Sequence, residues 1–153
     1  MKIQWKPFII ALAIPLATGL LAALLTARNM MLFQMVNLPP LAPPGWLFPV
    51  IWTILYLLMG FASYLIYVRQ PESGRALLFY FLQLCVNFFW PILFFNQQLY
   101  LISFLWIILL WLLVLFTFAE FYCISRIAGC CLIPYLVWVT IAGYLNLGIY
   151  LLN

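Results

Sequence analysis

The feature that most constrains this chain is a series of five apolar stretches, each long enough to cross a lipid bilayer as a helix. They lie at about 7–27, 46–68, 76–95, 101–121 and 128–151, and about 20 apolar residues suffice for one crossing. Strands of a membrane barrel would instead alternate polar and apolar residues. With only six Lys or Arg and two Glu among 153 residues, the sequence predicts an all-α integral membrane protein with one domain, 1–153, of five transmembrane helices.

The composition excludes several kinds of chemistry. The chain has no histidine and no aspartate, so it lacks the residues of Ser-His-Asp catalysis and of the HExxH zinc site. No nucleotide-binding glycine motif occurs, and no basic cluster exceeds two residues. We therefore expect no metal site, no resident cofactor and no nucleic-acid partner.

The distribution of basic residues predicts how the helices are oriented. Loops on the cytoplasmic side of a membrane carry an excess of Lys and Arg. Only Arg28 falls on the side of the first loop, whereas five basic residues fall on the side of the N-terminus: Lys2, Lys6, Arg69, Arg75 and Arg126. This count predicts an N-terminus inside and a C-terminus outside.

The first connection, 28–45, is long, apolar and rich in proline, with Pro39, Pro40, Pro43 and Pro44 near its end. A solvated linker would be polar. We expect this loop to pack across the mouth of the bundle and cap a cavity. The alternative is a loop that lies in the lipid headgroups.

Polar and aromatic residues recur at helical spacing in three of the spans. Amides inside a span usually face the interior of a bundle, because they need hydrogen-bond partners there. The residues predicted to surround a cavity are Trp52, Tyr56, Gln83, Asn87, Trp90, Trp138, Ala142 and Asn146. An aromatic cavity with few polar groups suits a flat, mostly apolar ligand. The alternative is that the amides only hold helices together. Trp106 and Trp111 are interpreted as facing lipid.

Three motifs in the right order carry a family resemblance. Residues 43–60 (PPGWLFPVIWTILYLLMG) resemble a PPxW…PxWxxLYxxMG signature, and residues 83–95 (QLCVNFFWPILFF) are similar to a QLxxNxxWxPxFF pattern. Residues 134–138 (PYLVW) with Leu145 and Asn146 match a PYLxW…LN pattern. On these motifs the chain resembles bacterial-type members of the translocator protein family, also called tryptophan-rich sensory proteins or peripheral-type benzodiazepine receptors.

The resemblance implies a five-helix bundle, usually a homodimer, in the bacterial cytoplasmic membrane. It also implies a cavity that binds porphyrins, including protoporphyrin IX, and synthetic isoquinoline carboxamide or benzodiazepine-type ligands. Trp52, Asn87, Trp90 and Trp138 occupy the family positions associated with that cavity. No basic residue follows Tyr150, so the resemblance does not extend to the family's sterol motif.

Some members of the family are reported to degrade protoporphyrin in light, and the resemblance extends that hypothesis to this chain. Because acid, base and metal groups are missing, the catalytic residues would be the oxidisable indoles of Trp52 and Trp138. Whether the chain is an enzyme stays open at this point. The alternatives are a transporter of porphyrins or other lipophilic metabolites, and a regulatory partner of other membrane proteins.

The first span carries pairs of small residues at a spacing of four, Ala13 with Ala17 and Gly19 with Ala23. Small residues let membrane helices approach closely. We predict that this face contributes to the homodimer.

Overall fold

The computed structural model describes residues 3–153, apart from the side chain of Leu32. Lys2, which entered the count of basic residues, lies outside this range. The described residues form helices and no strands: α1 (Trp5–Thr26), a 3-10 helix (Met30–Met35), α2 (Leu47–Arg69), α3 (Gly74–Pro91) followed by a π-helical turn (Ile92–Asn96), α4 (Tyr100–Ile124), α5 (Arg126–Cys130) and α6 (Ile133–Leu152). Five helical segments of the described chain are long and apolar enough to span a membrane. The predicted all-α membrane fold is confirmed.

Two prolines interrupt the helices of the third and fifth predicted spans. Pro134 sits in the first turn of α6, where its missing N–H costs nothing because such groups have no partner within the helix. Because Pro134 has no N–H, it cannot donate the hydrogen bond that would continue the helix from α5, so the fifth span is broken between Cys130 and Ile133. Pro91 ends α3, and the chain continues as a π-helical turn.

The helices form a bundle in which α1 packs against α2 and α3, and α4 packs against α3 and α6. Glycines permit two of the closest approaches. A Cβ on Gly60 would lie 2.7 Å from the carbonyl oxygen of Ala11 in α1, and one on Gly129 would lie 2.6 Å from the Cβ of Tyr122 in α4. Both distances are shorter than real side chains tolerate, so larger residues would separate these helices.

The first loop has two parts with different positions. Its first part, the 3-10 helix, brings Met30, Phe33 and Gln34 over the mouth of a cavity. This confirms the predicted cap. Other apolar side chains of the loop point outwards, above all Met35 and Leu41, which are 83% and 94% exposed. Contact of this outer face with lipid headgroups stays a prediction.

The second part of the loop runs along α6, where hydrogen bonds and one close packing contact attach it. The backbone N–H of Asn37 donates to Oδ1 of Asn153 at 2.9 Å, and Nδ2 of Asn153 donates to the carbonyl oxygen of Asn37 at 3.0 Å. The hydroxyl of Tyr144 donates to the carbonyl oxygen of Pro40 at 2.8 Å. Pro39 fits against Gly148, where a Cβ would lie only 2.6 Å from the proline ring. We call this segment, 37–46, the strap.

Candidate functional site

A cavity of about 310 Å³ opens beneath the first loop and is enclosed by α1, α2, α3, α4 and α6. Its lining residues are mostly aromatic, aliphatic or small, and none carries a charge. The aromatic part of the wall consists of Phe33, Phe48, Trp52, Tyr56, Trp90, Phe94 and Phe95. The small residues that leave the space open include Gly19, Ala22 and Ala142. The arrangement suits a flat apolar ligand, which such a wall binds by stacking and by burial of apolar surface.

Stacked rings give the wall a defined geometry. Trp52 stacks on Tyr56 with ring centroids 5.6 Å apart and planes 27° from parallel. Trp90 stacks on Phe94 at 5.3 Å and 24°. The offset stacked arrangement is one that aromatic pairs favour. The first pair lies on neighbouring turns of α2, and the second joins the last turn of α3 to the π-helical turn, so both are preformed ring surfaces in the cavity wall.

Four buried polar side chains form a hydrogen-bonded chain that leads away from the cavity. The hydroxyl of Tyr56 donates to Oδ1 of Asn87 at 2.7 Å, and Nδ2 of Asn87 donates to the hydroxyl oxygen of Tyr135 at 2.7 Å. Tyr135 donates to Oε1 of Gln83 at 2.8 Å, and Nε2 of Gln83 lies 3.6 Å from the sulfur of Met59. This chain joins α2, α3 and α6, because a polar side chain left unpaired in an apolar interior costs free energy.

A second buried amide, that of Asn146, joins helices elsewhere in the cavity wall. The indole N–H of Trp90 donates to Oδ1 of Asn146 at 3.1 Å, and Nδ2 of Asn146 donates to the carbonyl oxygen of Tyr100 at 2.7 Å. Asn146 therefore orients Trp90 and holds α6 against the start of α4.

The structure brings together most of the residues predicted to surround the cavity, although not all of them line it. Trp52, Tyr56, Asn87, Trp90, Ala142 and Asn146 do. Gln83 is fully buried and lies behind the wall, as the inner end of the hydrogen-bonded chain. Trp138 also lies behind the wall, with its ring 5.4 Å from that of Phe48. The ligand-binding roles of these eight residues stay predictions.

Trp138 differs from the other indoles near the cavity. It is buried, and its N–H has no hydrogen-bond partner in the described structure. Among the described residues, its aromatic contact with the cavity wall is edge-to-face with Phe48, which lines the cavity. Trp52 and Trp90, in contrast, both line the cavity directly.

Sequence reasoning missed Tyr135, which is the centre of the hydrogen-bonded chain. This side chain contacts Asn87 and Gln83 and packs its ring edge-to-face against Trp52 at 6.1 Å. The signal was present, because Tyr135 lies three residues before Trp138 and so shares a helix face with it. A buried tyrosine hydroxyl in a span also needs a partner, and the amides of α3 are suitable acceptors.

The interpretation of Trp106 and Trp111 as simply lipid-facing is wrong. Each is partly buried and donates a hydrogen bond to another helix: Trp106 to the carbonyl oxygen of Val86 at 2.8 Å, and Trp111 to the hydroxyl of Thr140 at 2.9 Å. An indole N–H in hydrocarbon needs such a partner. These tryptophans join α4 to α3 and α6.

Gly19 packs against a side chain of its own chain, which changes the interpretation of the predicted dimer face. A Cβ at this position would lie 2.2 Å from Cε2 of Tyr56. Gly19 therefore lets α1 approach the ring of Tyr56 in α2. The side chains of Ala13 and Ala17 remain exposed, and the homodimer itself stays a prediction.

Comparison with known proteins identifies relatives of this chain. The TspO/MBR family matches residues 11–152. A tryptophan-rich sensory protein of Cereibacter sphaeroides is 36% identical over 100% of this chain and 95% of its own length. A tryptophan-rich protein TspO of Archaeoglobus fulgidus is 38% identical over 90% of this chain and 91% of its own. The translocator protein of Bos taurus is 31% identical over 93% and 87%. An uncharged aromatic cavity in a bundle of five membrane-spanning helices, together with these similarities, shows that the chain belongs to the TspO/MBR family.

Proposed function

We propose that this protein binds a porphyrin, with protoporphyrin IX as the reference ligand, in the aromatic cavity. The observation that carries the proposal is the pair of stacked ring surfaces, Trp52 on Tyr56 and Trp90 on Phe94, in a cavity without charge. A macrocycle offers two large flat faces, which such walls bind well. Relatives named as tryptophan-rich sensory proteins and translocator proteins support a membrane role of this kind.

The size and charge of the cavity determine how such a ligand would enter. A volume of about 310 Å³ lies at the lower end of the range of ligand pockets, roughly 300–1,000 Å³. A porphyrin therefore needs the 3-10 helix over the mouth to move. Its carboxylates find no cation among the lining residues, so we propose that they stay at the mouth, where Arg28 follows the end of α1.

We also propose that light converts the bound porphyrin. The excited macrocycle takes one electron from the indole of Trp52, which becomes a radical cation, and passes that electron to dioxygen to give superoxide. The ground-state macrocycle then returns one electron to the Trp52 radical cation, and the macrocycle radical cation so formed couples with superoxide, so that dioxygen adds to the macrocycle and the indole is restored. The pigment and dioxygen supply this chemistry, and the protein supplies the pocket and the electron donor. Trp138 is a second electron donor in this scheme. It contacts the cavity wall through the ring of Phe48.

Binding is tested by titrating the purified protein with protoporphyrin IX and following quenching of tryptophan fluorescence. Saturable quenching that an isoquinoline carboxamide reverses supports the cavity as the site. Absorbance of the complex, followed in light and dark and with and without oxygen, then tests conversion.

The matched variants are Trp52→Phe, Trp138→Phe and, as a control, Trp46→Phe, whose indole is exposed on the loop side. Phenylalanine keeps an aromatic wall, so binding should weaken by only about 1 kcal/mol, while light-driven loss of porphyrin should fall far more in Trp52→Phe than in Trp46→Phe. If Trp52→Phe and Trp138→Phe bind and bleach the pigment like the wild type, conversion is ordinary photobleaching and only the binding function survives. If the titration shows no saturable quenching, the binding function fails as well.

A further inference from the structure

A second cavity, of about 330 Å³, lies between α4 and α6, and we call it the groove. Four residues of α4 and five of α6 line it. Ile108, Thr140 and Tyr144 are among them and are exposed, so the groove opens at the outer surface of the bundle. Because both helices belong to membrane-spanning segments, the hydrocarbon chains of lipids surround the bundle at this level.

A thin wall separates the groove from the cavity beneath the first loop. The two spaces share two lining residues, Ile107 on α4 and Val139 on α6, which are 3% and 1% exposed. A single layer of side chains therefore lies between them. Neither side chain carries a polar atom, so no side-chain hydrogen bond holds this wall, and displacing it costs packing contacts alone.

Gly143 leaves room on the outer side of the wall. It lines the groove and not the cavity. A Cβ at this position would meet one heavy atom of another helix within 4 Å, Cγ2 of Ile107 at 3.6 Å, which is ordinary van der Waals contact. The glycine thus keeps the groove open up to Ile107, whereas a side chain larger than alanine would extend into it.

Two hydrogen bonds join α4 to α6, one on either side of Ile107. The indole N–H of Trp111 donates to the hydroxyl of Thr140 at 2.9 Å, and Nδ2 of Asn146 donates to the carbonyl oxygen of Tyr100 at 2.7 Å. Among the described residues, no further hydrogen bond joins the two helices between these two. The helices are therefore held together at two levels, and the contact at Ile107 is apolar.

We infer that this part of the contact between α4 and α6 is a lateral window, through which uncharged apolar molecules dissolved in the bilayer enter and leave the cavity, with Ile107 and Val139 as its gate. Ile107 lies about 10 Å along α4 from Tyr100, at 1.5 Å per residue. A carboxylate at that depth in lipid is costly, so anionic ligands use the mouth beneath the 3-10 helix. The inference goes beyond the proposed function, because it concerns the route of uncharged molecules and not the identity of the porphyrin.

The test compares two probes that share one flat ring system, a trifluoromethylanthracene and the same molecule with a carboxylate in place of a ring hydrogen. Fluorine NMR with saturation transfer, on the full chain in lipid nanodiscs, measures how fast each probe exchanges between its free and bound states. Ala142→Phe fills the cavity and not the groove, because Ala142 lines only the cavity, so it should abolish the bound signal. A neutral probe that has no bound signal in the wild type, or keeps it in Ala142→Phe, overturns the inference.

Variants of the window then test the route. Gly143→Leu places a side chain in the groove, so the exchange rate of the neutral probe should fall about tenfold, a rise of ~1.4 kcal/mol in the barrier, while its equilibrium affinity stays unchanged. Gly143→Ala is the matched control, because its Cβ would reach only ordinary contact with Ile107. The anionic probe should exchange at the wild-type rate in both variants.

Val139→Ala thins the wall itself, so the neutral probe should exchange several-fold faster, and this variant decides the question if Gly143→Leu does not fold. Equal rates of the neutral probe in Gly143→Leu and Gly143→Ala overturn the window, as does equal slowing of both probes by Gly143→Leu. An unchanged rate in Val139→Ala shows that the shared wall is not the gate and overturns the inference as well.

The outcomes also separate this inference from the proposed function. If protoporphyrin IX binds while the window variants leave the neutral probe unchanged, the inference fails and the proposed function stands. If protoporphyrin IX does not bind while Gly143→Leu slows the neutral probe alone, the window stands and the proposed ligand is wrong.

Discussion

Replacement of Asn87 by leucine tests how much the buried hydrogen-bonded chain contributes to the stability of the bundle. Asn87 is 2% exposed and makes two hydrogen bonds of 2.7 Å, to Tyr56 and Tyr135. Leucine has a similar size, so Asn87→Leu removes these bonds with little change in packing. Tyr135 keeps its bond to Gln83, whereas the hydroxyl of Tyr56 is left without a partner.

The expected magnitude follows from the membrane environment. An unsatisfied buried polar group costs roughly 1–3 kcal/mol in soluble proteins, but hydrogen bonds between membrane helices average only about 0.6 kcal/mol and reach about 1.7 kcal/mol. The membrane values apply here, because the unfolded chain finds other partners in the bilayer. Two bonds then give a loss of about 1–3 kcal/mol in the free energy of unfolding.

The assay is a double-mutant cycle. Unfolding of the wild type, Asn87→Leu, Tyr56→Phe and the double variant is followed in mixed micelles as the fraction of denaturing detergent rises. The pair should show a coupling free energy of about 0.5–1.5 kcal/mol, since removing the hydroxyl of Tyr56 relieves part of the cost of Asn87→Leu. Additive effects would show that the bond between them contributes nothing. A more stable Asn87→Leu variant would refute the reasoning entirely and leave ligand recognition as the only role of this amide.

Two further predictions concern the first loop. Gly148→Ala should loosen the strap and speed the dissociation of protoporphyrin IX in stopped-flow measurements, because the new Cβ would lie 2.6 Å from Pro39. The matched control is Gly143→Ala, whose Cβ would meet its nearest neighbour at 3.6 Å. Equal dissociation rates in the two variants would show that the strap does not control release. Leu41→Cys, at the most exposed apolar position of the strap, should react with a membrane-impermeant thiol reagent in intact cells if the first loop is outside, and labelling only after lysis would reverse the predicted orientation.

Helical periodicity predicted which residues of a single span turn inwards. The amides of α3 and the aromatics of α2 are buried or line the cavity, as the spacing of Trp52 with Tyr56 and of Gln83 with Asn87 indicated. A polar side chain in an apolar span must find partners, so each amide marks the inward face of its own helix. The same reasoning did not show which residue on another helix would meet it.

The two interpretations of the amides are not exclusive, because one amide has the position that both require. Asn87 joins three helices and also lines the cavity, whereas Gln83 only joins helices in the described structure. Gln83 and Asn87 are one helical turn apart, and this offset along α3 decides which amide reaches the cavity. Periodicity places both on one face and says nothing about how deep the cavity extends.

The sequence by itself determined the all-α fold, the approximate limits of the five spans and the presence of an apolar loop over the bundle. These properties follow from the length and hydrophobicity of contiguous segments and from the rule that a backbone in lipid must satisfy its own hydrogen bonds. Only the tertiary structure decided that Tyr135 completes the polar chain, that Trp138 lies behind Phe48, and that Gly19 and Gly148 receive Tyr56 and Pro39. Such contacts depend on the rotation of each helix about its axis and on its shift along its neighbour. Packing of the whole bundle determines both, and no local pattern in one segment records them.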